Sequence, residues 1–260
     1  MGLVLTWQEI GNKKIEGSPM KLILLSCLFC MSAMVQCRVD ANDDWQSIGK
    51  VGGVETFVKP DDPVTRTKAV KGTMTIAVHI SNVLGVFVDA SVAPQWVDLL
   101  TEMSELRFEQ QQCTSNDSAF VKSISEMDPS LVRPEDVEVV HQEYGFPWPL
   151  QPRDFVLLRQ FKYDAEKKAV DVYYESIEDL RLPPKDGVIR GVNIYSRFYF
   201  RATAEGGTYI EVETQVDLKG SLPSFVINQI QKLWPMKTLG ALKTVTQKGV
   251  TAPLARIADW

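Results

Sequence analysis

The second half of the chain alternates between apolar and polar residues with a period of two. In RGVNIYSRFYFRA, residues 190–202, one set of alternate positions is Val192, Ile194, Ser196, Phe198 and Phe200, and the other runs from Asn193 to Arg201. In TYIEVETQVDL, residues 208–218, Ile210, Val212, Thr214, Val216 and Leu218 alternate with acidic and amide residues. Strands of this kind pack one face and expose the other to water. Turn signals such as LPPKDG and AEGG separate them, so the pattern predicts an antiparallel sheet.

The period changes after Gly220. Ser221 is the predicted cap of a long helix, with Pro223 in its first turn and Pro235 expected to kink it. The helix is expected to end near Lys248, and its apolar stripe is Leu222, Phe225, Val226, Ile230 and Leu233. An amphipathic helix after a meander most simply packs across the concave face of the sheet. The predicted fold class is therefore α+β, a helix gripped by a curved antiparallel sheet, and not a sandwich or a doubly wound fold.

The first half gives weaker signals. WQSIGKVGGVETFVK predicts a helical turn, a tight turn at Gly52 and Gly53, and then a strand, which TRTKAVKGTMTIAV follows as another strand. SNVLGVFVD predicts a short helix capped by Ser81, and APQWVDLL a second short helical piece. ELRFEQQQ and AFVKSIS predict a strand pair joined by the polar turn CTSND.

An arginine lies on a packed face in EYGFPWPLQPRDFVLLRQF, residues 143–161. Read with period two, Arg159 shares a face with Phe155, Leu157 and Phe161. A buried guanidinium needs a partner, because burying an isolated charge is costly. Glu143 is the predicted partner, since the prolines fold the chain so that its strand returns beside the strand of Arg159. A one-residue bulge would turn Arg159 outward, so this prediction depends on an unbroken register.

The N-terminal segment MKLILLSCLFCMSAMVQC, residues 20–37, is typical of a secretory signal peptide. Lys21 precedes an apolar stretch, Leu22–Val35, which is too short to span a bilayer comfortably, and small-residue cleavage options end at Cys37 or Ala41. Translation starts at Met20, or the region before the apolar stretch is unusually long. The alternatives are a signal anchor and a buried helix. We expect an N-terminal extension over residues 1–41 and a domain over residues 42–260. The expected location is the secretory pathway or the extracellular space. The alternatives are a membrane-anchored protein, or a cytoplasmic one if the segment is not used.

Composition argues against several classes of function. The formal charge is −5 without a basic run, which disfavours nucleic acid as a partner. His79 and His141 are far apart and have no cysteine nearby, so neither a metal site nor a cofactor is predicted. Cys27 and Cys30 have C-x-x-C spacing in an apolar setting that disfavours zinc or redox chemistry. No nucleophile–base pair or carboxylate pair is apparent, so the protein is not expected to be an enzyme.

Three ordered motifs resemble those of START (StAR-related lipid-transfer) domains, which have the helix-grip fold. FPWPLQPRDFVLLRQF is similar to the family signature, SIEDLRLPPKDGVIRG to its serine strand and proline loop, and TQVDLKGSLPSFVINQI to its junction between the last strand and the last helix. The resemblance covers about 200 residues, from Trp45 to around Lys248. It is weakest between Phe87 and Asp136.

The resemblance implies an apolar tunnel between sheet and helix that holds one sterol, phospholipid, ceramide or acyl lipid and transfers it between membranes. On the residues alone, the apolar faces favour an ordinary dry core, and it is the resemblance that favours a tunnel. The predicted ligand contacts are Glu143, Arg159, Phe155, Phe161, Tyr174, Phe198, Phe200 and Phe225. The spacing of Glu143 to Arg153 also resembles, with a short deletion, that of the buried acidic residue that pairs with the arginine at the position of Arg159 in sterol-binding members. Arg153 and Asp154 are assigned to surface turn chemistry.

The junction DLKGSLPSF, residues 217–225, is predicted to open the tunnel for lipid entry, and we call it the gate. We expect it to touch the membrane transiently. The alternative is that this junction is an ordinary helix cap. A lipid-gated sensor or interaction module is the alternative function, and an enzyme such as a cyclase is a further one. The oligomeric state stays open.

Overall fold

The computed structural model describes residues 44–60, 62, 67–114 and 133–260. Trp45–Trp260 makes up one compact unit. The predicted signal segment and the predicted strand AFVKSIS lie outside the described residues. The strands are β1 Gln46–Val51, β2 Val54–Val58, β3 Ala69–Ile76, β4 Leu100–Arg107, β5 Val137–Tyr144, β6 Arg153–Asp164, β7 Ala169–Ser176, β8 Ile189–Arg190, β9 Val192–Ala202 and β10 Thr208–Asp217, and the helices are α1 Ile80–Phe87 and α2 Ser224–Gln247.

The strands form one curved sheet in the order β1-β2-β3-β10-β9-β7-β6-β5-β4. All pairs along this path are antiparallel, and the short β8 pairs with β6 in parallel. The alternating apolar residues of β6, β7, β9 and β10 form the concave face, and the main core lies between this face and the two helices. The predicted α+β grip is confirmed.

Helix α2 lies across the N-terminal strands of the sheet. A Cβ built on Gly72 of β3 would come within 2.7 Å of Pro235 Cβ, so the glycine allows the helix to approach the sheet closely. Leu239 and Leu242 are buried in the core. The helix runs through Pro235, and its N-cap is Pro223, without a side-chain hydrogen bond, in place of the predicted Ser221. Neither helix is both long and apolar enough to cross a membrane, within the residues that were described.

Three local predictions in the first half are wrong. The strand predicted for ELRFEQQQ ends at Arg107, and Gln110–Gln112 form a 3-10 helix. Residues 46–51 form β1, not a helical turn, because Gly52 and Gly53 both have positive φ (61° and 87°), the geometry of a two-residue hairpin turn that pairs β1 with β2. Helix α1 is capped by His79 and not by Ser81: His79 Nδ1 accepts from the Ser81 backbone N–H at 3.3 Å. The other ring nitrogen lies 2.8 Å from the Trp260 carbonyl oxygen, which fixes the imidazole.

Candidate functional site

A largely apolar cavity lies between the concave face of the sheet, α1 and α2. The space not filled by atoms measures about 990 Å³ with its open mouth, and about 110 Å³ of it is wide enough for the centre of a water molecule. This second figure is well above what a single water needs. Eight of the lining side chains are aromatic: Phe87, Trp96, Tyr144, Phe146, Phe155, Tyr174, Phe198 and Trp234. The polar side chains among the lining residues are Lys68, Gln142, Asn193, Ser196 and Thr214.

Phe198 lies at the centre of the aromatic lining. Its ring centroid is 5.0 Å from Phe87, 6.0 Å from Tyr174 and 6.4 Å from both Trp96 and Trp234. The rings therefore come from both helical and sheet elements and meet around one space. The period-two pattern of β6, β7 and β9 places Phe155, Tyr174 and Phe198 on this face.

The aromatic residues predicted to contact a ligand fall into two groups. Phe155, Tyr174 and Phe198 line the cavity. Phe161 and Phe200 do not, because Phe87 of α1 packs over them, with centroid distances of 6.4 and 4.9 Å. They belong to the core behind the lining. Phe225 lies in the first turn of α2, and its side chain is outside the described part of the structure.

Arg159 is buried on the concave face, as predicted, with 1% of its surface exposed. Its partner is Glu138, which stands directly opposite it in the β5–β6 register. Arg159 Nε donates to Glu138 Oε1 at 2.9 Å, and Nη2 donates to the same oxygen at 2.5 Å. Nη2 also donates to Glu105 of the edge strand β4. The arginine is thus held by two carboxylates.

The predicted pairing of Arg159 with Glu143 is wrong. Glu143 stands opposite Asp154 in the same register, and it is five residues from Glu138, an odd number that places the two side chains on opposite faces of β5. On the outer face, Glu143 forms an ion pair with Lys185. The prediction that the strand of Glu143 pairs with the strand of Arg159 was correct. The prediction failed because the side chain of Glu143 lies on the other face of β5.

Burial and charge act against each other around Arg159. Burial opposes the charge of the guanidinium, but Tyr174, Glu138 and Glu105 raise the pKa of Arg159 above its usual range. Burial raises the pKa of Glu138, and the arginine offsets part of this rise. Burial also raises the pKa of Tyr174, with Arg159 acting in the opposite direction. Arg159 does not line the cavity itself. Its guanidinium carbon lies 6.0 Å from the centroid of the Tyr174 ring, which does.

A row of polar side chains crosses the concave face. Glu138 pairs with Arg159, Arg159 with Tyr174, Tyr174 with Ser196 and Ser196 with Thr214, on five neighbouring strands from β5 to β10. With strands about 4.8 Å apart, the row spans about 19 Å. Tyr174, Ser196 and Thr214 of this row line the cavity. We call this set the polar row.

Asn193 joins the polar row because of a bulge. The β9–β10 register shifts between Gln215 and Val216, which turns Asn193 to the concave face, where it is 7% exposed. Strict alternation had placed it on the wet face. Asn193 Nδ2 donates to Ser196 Oγ at 2.8 Å, and Ser196 Oγ lies 2.6 Å from Thr214 Oγ1. Sequence reasoning missed this residue, since a bulge inside a regular alternation leaves no signal in the pattern.

Arg153 and Asp154 are buried, which corrects their assignment to surface turn chemistry. Arg153 Nε donates to the Leu218 carbonyl at 3.3 Å and Nη2 to the Lys219 carbonyl at 3.4 Å, so this side chain ties β6 to the junction before α2. Asp154 accepts from Arg190 Nε and Nη2, both at 2.9 Å. Burial would raise the pKa of Asp154, but hydrogen bonds from Arg190 and His141 hold it below its usual value.

Within the described ranges, no three His, Cys, Asp or Glu side chains come together in a way that could hold a metal ion.

Comparison with protein-family models assigns the chain to one family. The START domain model matches residues 93–246. Mouse START domain-containing protein 10 is 27% identical over 104 residues, which is 40% of this chain and 35% of that protein, so the match spans about a third of the relative. An uncharacterized Pseudomonas aeruginosa protein is 20% identical over 209 residues, 79% of this chain and 88% of its own length.

Two solved structures share the fold. Human StAR-related lipid transfer protein 5 superposes with a TM-score of 0.65 at 16% identity, covering 88% of this chain and 98% of that one. Human STARD10 superposes with a TM-score of 0.64 at 20% identity, covering 84% and 78%.

Proposed function

The chain belongs to the START domain family, whose model matches more than half of it, and from this premise we propose that it binds one hydrophobic lipid in its cavity and transfers it between membranes. The observation that carries the proposal is the cavity itself. It lies between sheet and helices with one open mouth, is lined by eight aromatic rings, and carries a few polar groups. Ligand sites in proteins have this composition, with apolar walls for affinity and a few polar groups for orientation.

Phe155, Tyr174 and Phe198 are the proposed contacts with the apolar body of the lipid. Arg159 is proposed as a positioning residue that acts through Tyr174, because Tyr174 stands between the guanidinium and the cavity. Glu138, and not Glu143, is the carboxylate of β5 that holds Arg159 in this arrangement. A ligand contact for Phe225 stays a prediction.

Entry of a lipid requires the cavity to open, since only about 110 Å³ of it is wide enough for the centre of a water molecule. The proposed gate is the junction between β10 and α2, residues 217–225. Gly220 has φ +70°, and the junction is held to β6 through Arg153. If Arg153 no longer donated to the carbonyl oxygens of Leu218 and Lys219, the start of α2 would be free to move while the sheet stays in place.

Transient contact with a membrane surface is part of this proposal. Trp148 is 93% exposed in the loop between β5 and β6, two residues after Phe146, which lines the cavity. An exposed tryptophan is suited to the interfacial region of a bilayer, because its ring is both apolar and polar. The loop would bring the cavity close to the lipid surface.

A transfer assay between liposomes tests the proposal. Thr214 faces the cavity and Glu213 the outer face of the same strand, so Thr214→Phe should block the cavity while Glu213→Phe serves as the matched control. The wild-type chain and the control are expected to move labelled lipid from donor to acceptor liposomes, and Thr214→Phe to lose this transfer while keeping its circular dichroism spectrum.

Three outcomes would change the proposal. Loading without transfer would favour a lipid-gated sensor, and conversion of the lipid into another compound would indicate an enzyme. Equal transfer by all three proteins would contradict a role for the cavity.

A further inference from the structure

The amide of Asn193 is only half satisfied. The side chain is 7% exposed and lines the cavity, and its Nδ2 donates to Ser196. Its Oδ1 has no hydrogen-bond partner among the described residues. A buried amide oxygen without a donor is unfavourable, and native proteins rarely leave one unpaired without a reason. The oxygen of Asn193 therefore calls for a hydrogen-bond donor from the contents of the cavity.

The two hydroxyls next to Asn193 leave one proton free. Ser196 Oγ accepts from Asn193 Nδ2 at 2.8 Å and lies 2.6 Å from Thr214 Oγ1, so one of the two hydroxyls donates to the other. The proton of the second hydroxyl is then available to an acceptor, and both Ser196 and Thr214 line the cavity. This part of the polar row offers both an acceptor and a donor. A hydroxyl group, which donates and accepts, matches both.

The charges at the other end of the polar row disfavour an anionic headgroup. Arg159 is offset by both Glu138 and Glu105, so these three groups sum to −1 when ionised. A phosphate that approached Arg159 would meet two carboxylates already bound to it. Lys68, the cation among the lining residues, has an interaction partner of its own. The net charge of these three groups therefore favours a neutral polar group over an anion, although Arg159 Nη1 has no hydrogen-bond partner among the described residues.

We infer that the cavity selects a neutral lipid that carries a hydroxyl or amide hydrogen-bond donor, and that Asn193 Oδ1 is the acceptor that recognises it. The inference rests on the proposed lipid binding and narrows its ligand class. Sterols and ceramides both present such a donor, and the two are distinguished by the test. Phosphatidylcholine offers acceptors only, so it would leave the oxygen of Asn193 unpaired.

Matched pairs of lipids provide the test. The full chain is mixed with phosphatidylcholine vesicles that contain dehydroergosterol or its 3-O-methyl ether, and separately with vesicles that contain a fluorescent ceramide or its analogue methylated on both hydroxyls and the amide nitrogen. Binding is followed by energy transfer from tryptophan for the sterol pair, by probe fluorescence for the ceramide pair, and by mass spectrometry of the extracted lipid. At least one parent lipid is expected to bind about 10- to 100-fold more tightly than its methylated analogue, because the analogue leaves the buried acceptor unpaired.

Three variants assign the effect to this wall of the cavity. Asn193→Leu, which is similar in size, should remove the preference for the parent lipid. Thr214→Val keeps the shape of its side chain and should weaken the preference, so it decides the question if Asn193→Leu fails to fold. Tyr195→Phe also removes a polar group from β9, but Tyr195 does not line the cavity, and this control should keep the preference unchanged.

The outcomes separate this inference from the proposed function. Equal binding of parent and methylated lipids, or preferential loading of phosphatidylcholine, would overturn the role of Asn193 while lipid binding stands. Failure of the wild-type chain to bind any lipid would overturn both.

Discussion

Replacing Arg159 with leucine is expected to destabilise the fold in a pH-dependent way. The substitution removes a guanidinium that is 1% exposed and leaves Glu138 and Glu105 facing each other. Removal of one partner of a buried ion pair typically costs about 3–5 kcal/mol. The side chains of Glu138 and Glu105 are 23% and 30% exposed, so water offsets part of this cost, and we expect the lower end, about 3 kcal/mol near pH 8. For a domain of this size, this corresponds to a fall in Tm of about 6–12 °C.

The sign of the pH dependence follows from Glu138. Burial already raises the pKa of this carboxyl, and Arg159 is the group that lowers it, so the variant should raise the pKa of Glu138 further. A carboxyl whose pKa is raised by folding binds its proton more tightly in the folded state. Its stabilising contribution is present below the unfolded pKa and is lost as the pH rises through the folded pKa. The destabilisation should therefore be smaller at pH 5 than at pH 8.

Urea unfolding of wild type and variant across this pH range measures the effect. Arg197→Leu is the control, since this arginine pairs with Asp171 at 2.5 Å but is 28% exposed, and we expect a cost of about 1 kcal/mol or less. The double variant Arg159→Leu/Glu138→Leu should recover part of the lost stability, because replacing both partners of a buried pair by apolar residues is often neutral, while Glu105 still loses its partner. A cost for Arg159→Leu that is no larger than the control, or that grows as the pH falls, would refute this reasoning.

Three other predictions concern the gate, the membrane and the N-terminus. Hydrogen exchange at residues 217–225 should change on addition of liposomes more than exchange elsewhere in the domain, and an unchanged pattern would leave this junction as an ordinary helix cap. Trp148→Ala should weaken liposome binding in a co-sedimentation assay without changing Tm, because the side chain is 93% exposed; unchanged co-sedimentation would remove this loop from the membrane contact. N-terminal sequencing of protein from its native host should show a start near Arg38 or Asn42, whereas an intact Met1 or Met20 on soluble cytosolic protein would contradict the signal peptide.

Much of the fold could be predicted because its signals are periodic. The alternation of β9 and β10, the change to a helical stripe after Gly220, and the turn sequences between strands together specify a sheet that packs on a terminal helix. The hairpin at Gly52 and Gly53 was harder, since β1 is exposed along its length and has no apolar face to reveal it. Its strand character comes from pairing with β2 and not from its own residues.

The candidate site was predicted only in part, because a register is decided by pairs of strands. Burial of Arg159 follows from its own strand. Its partner depends on which residue of β5 stands opposite, and the sequence of β5 offers Glu138 and Glu143, on opposite faces. Asn193 depends on a bulge between β9 and β10, and the layering of Phe161 behind Phe87 depends on where α1 packs. None of these is a property of a single segment.

Native mass spectrometry of the full chain after incubation with liposomes measures whether the cavity holds one lipid molecule. We expect one added mass per chain that corresponds to one lipid molecule, retained by Glu213→Phe and absent from Thr214→Phe, whose side chain would occupy the cavity. A wild-type chain without any bound lipid would contradict lipid binding in the cavity. So would a series of several lipids per chain that Thr214→Phe binds equally well, since lipids held outside the cavity would not respond to a residue that lines it.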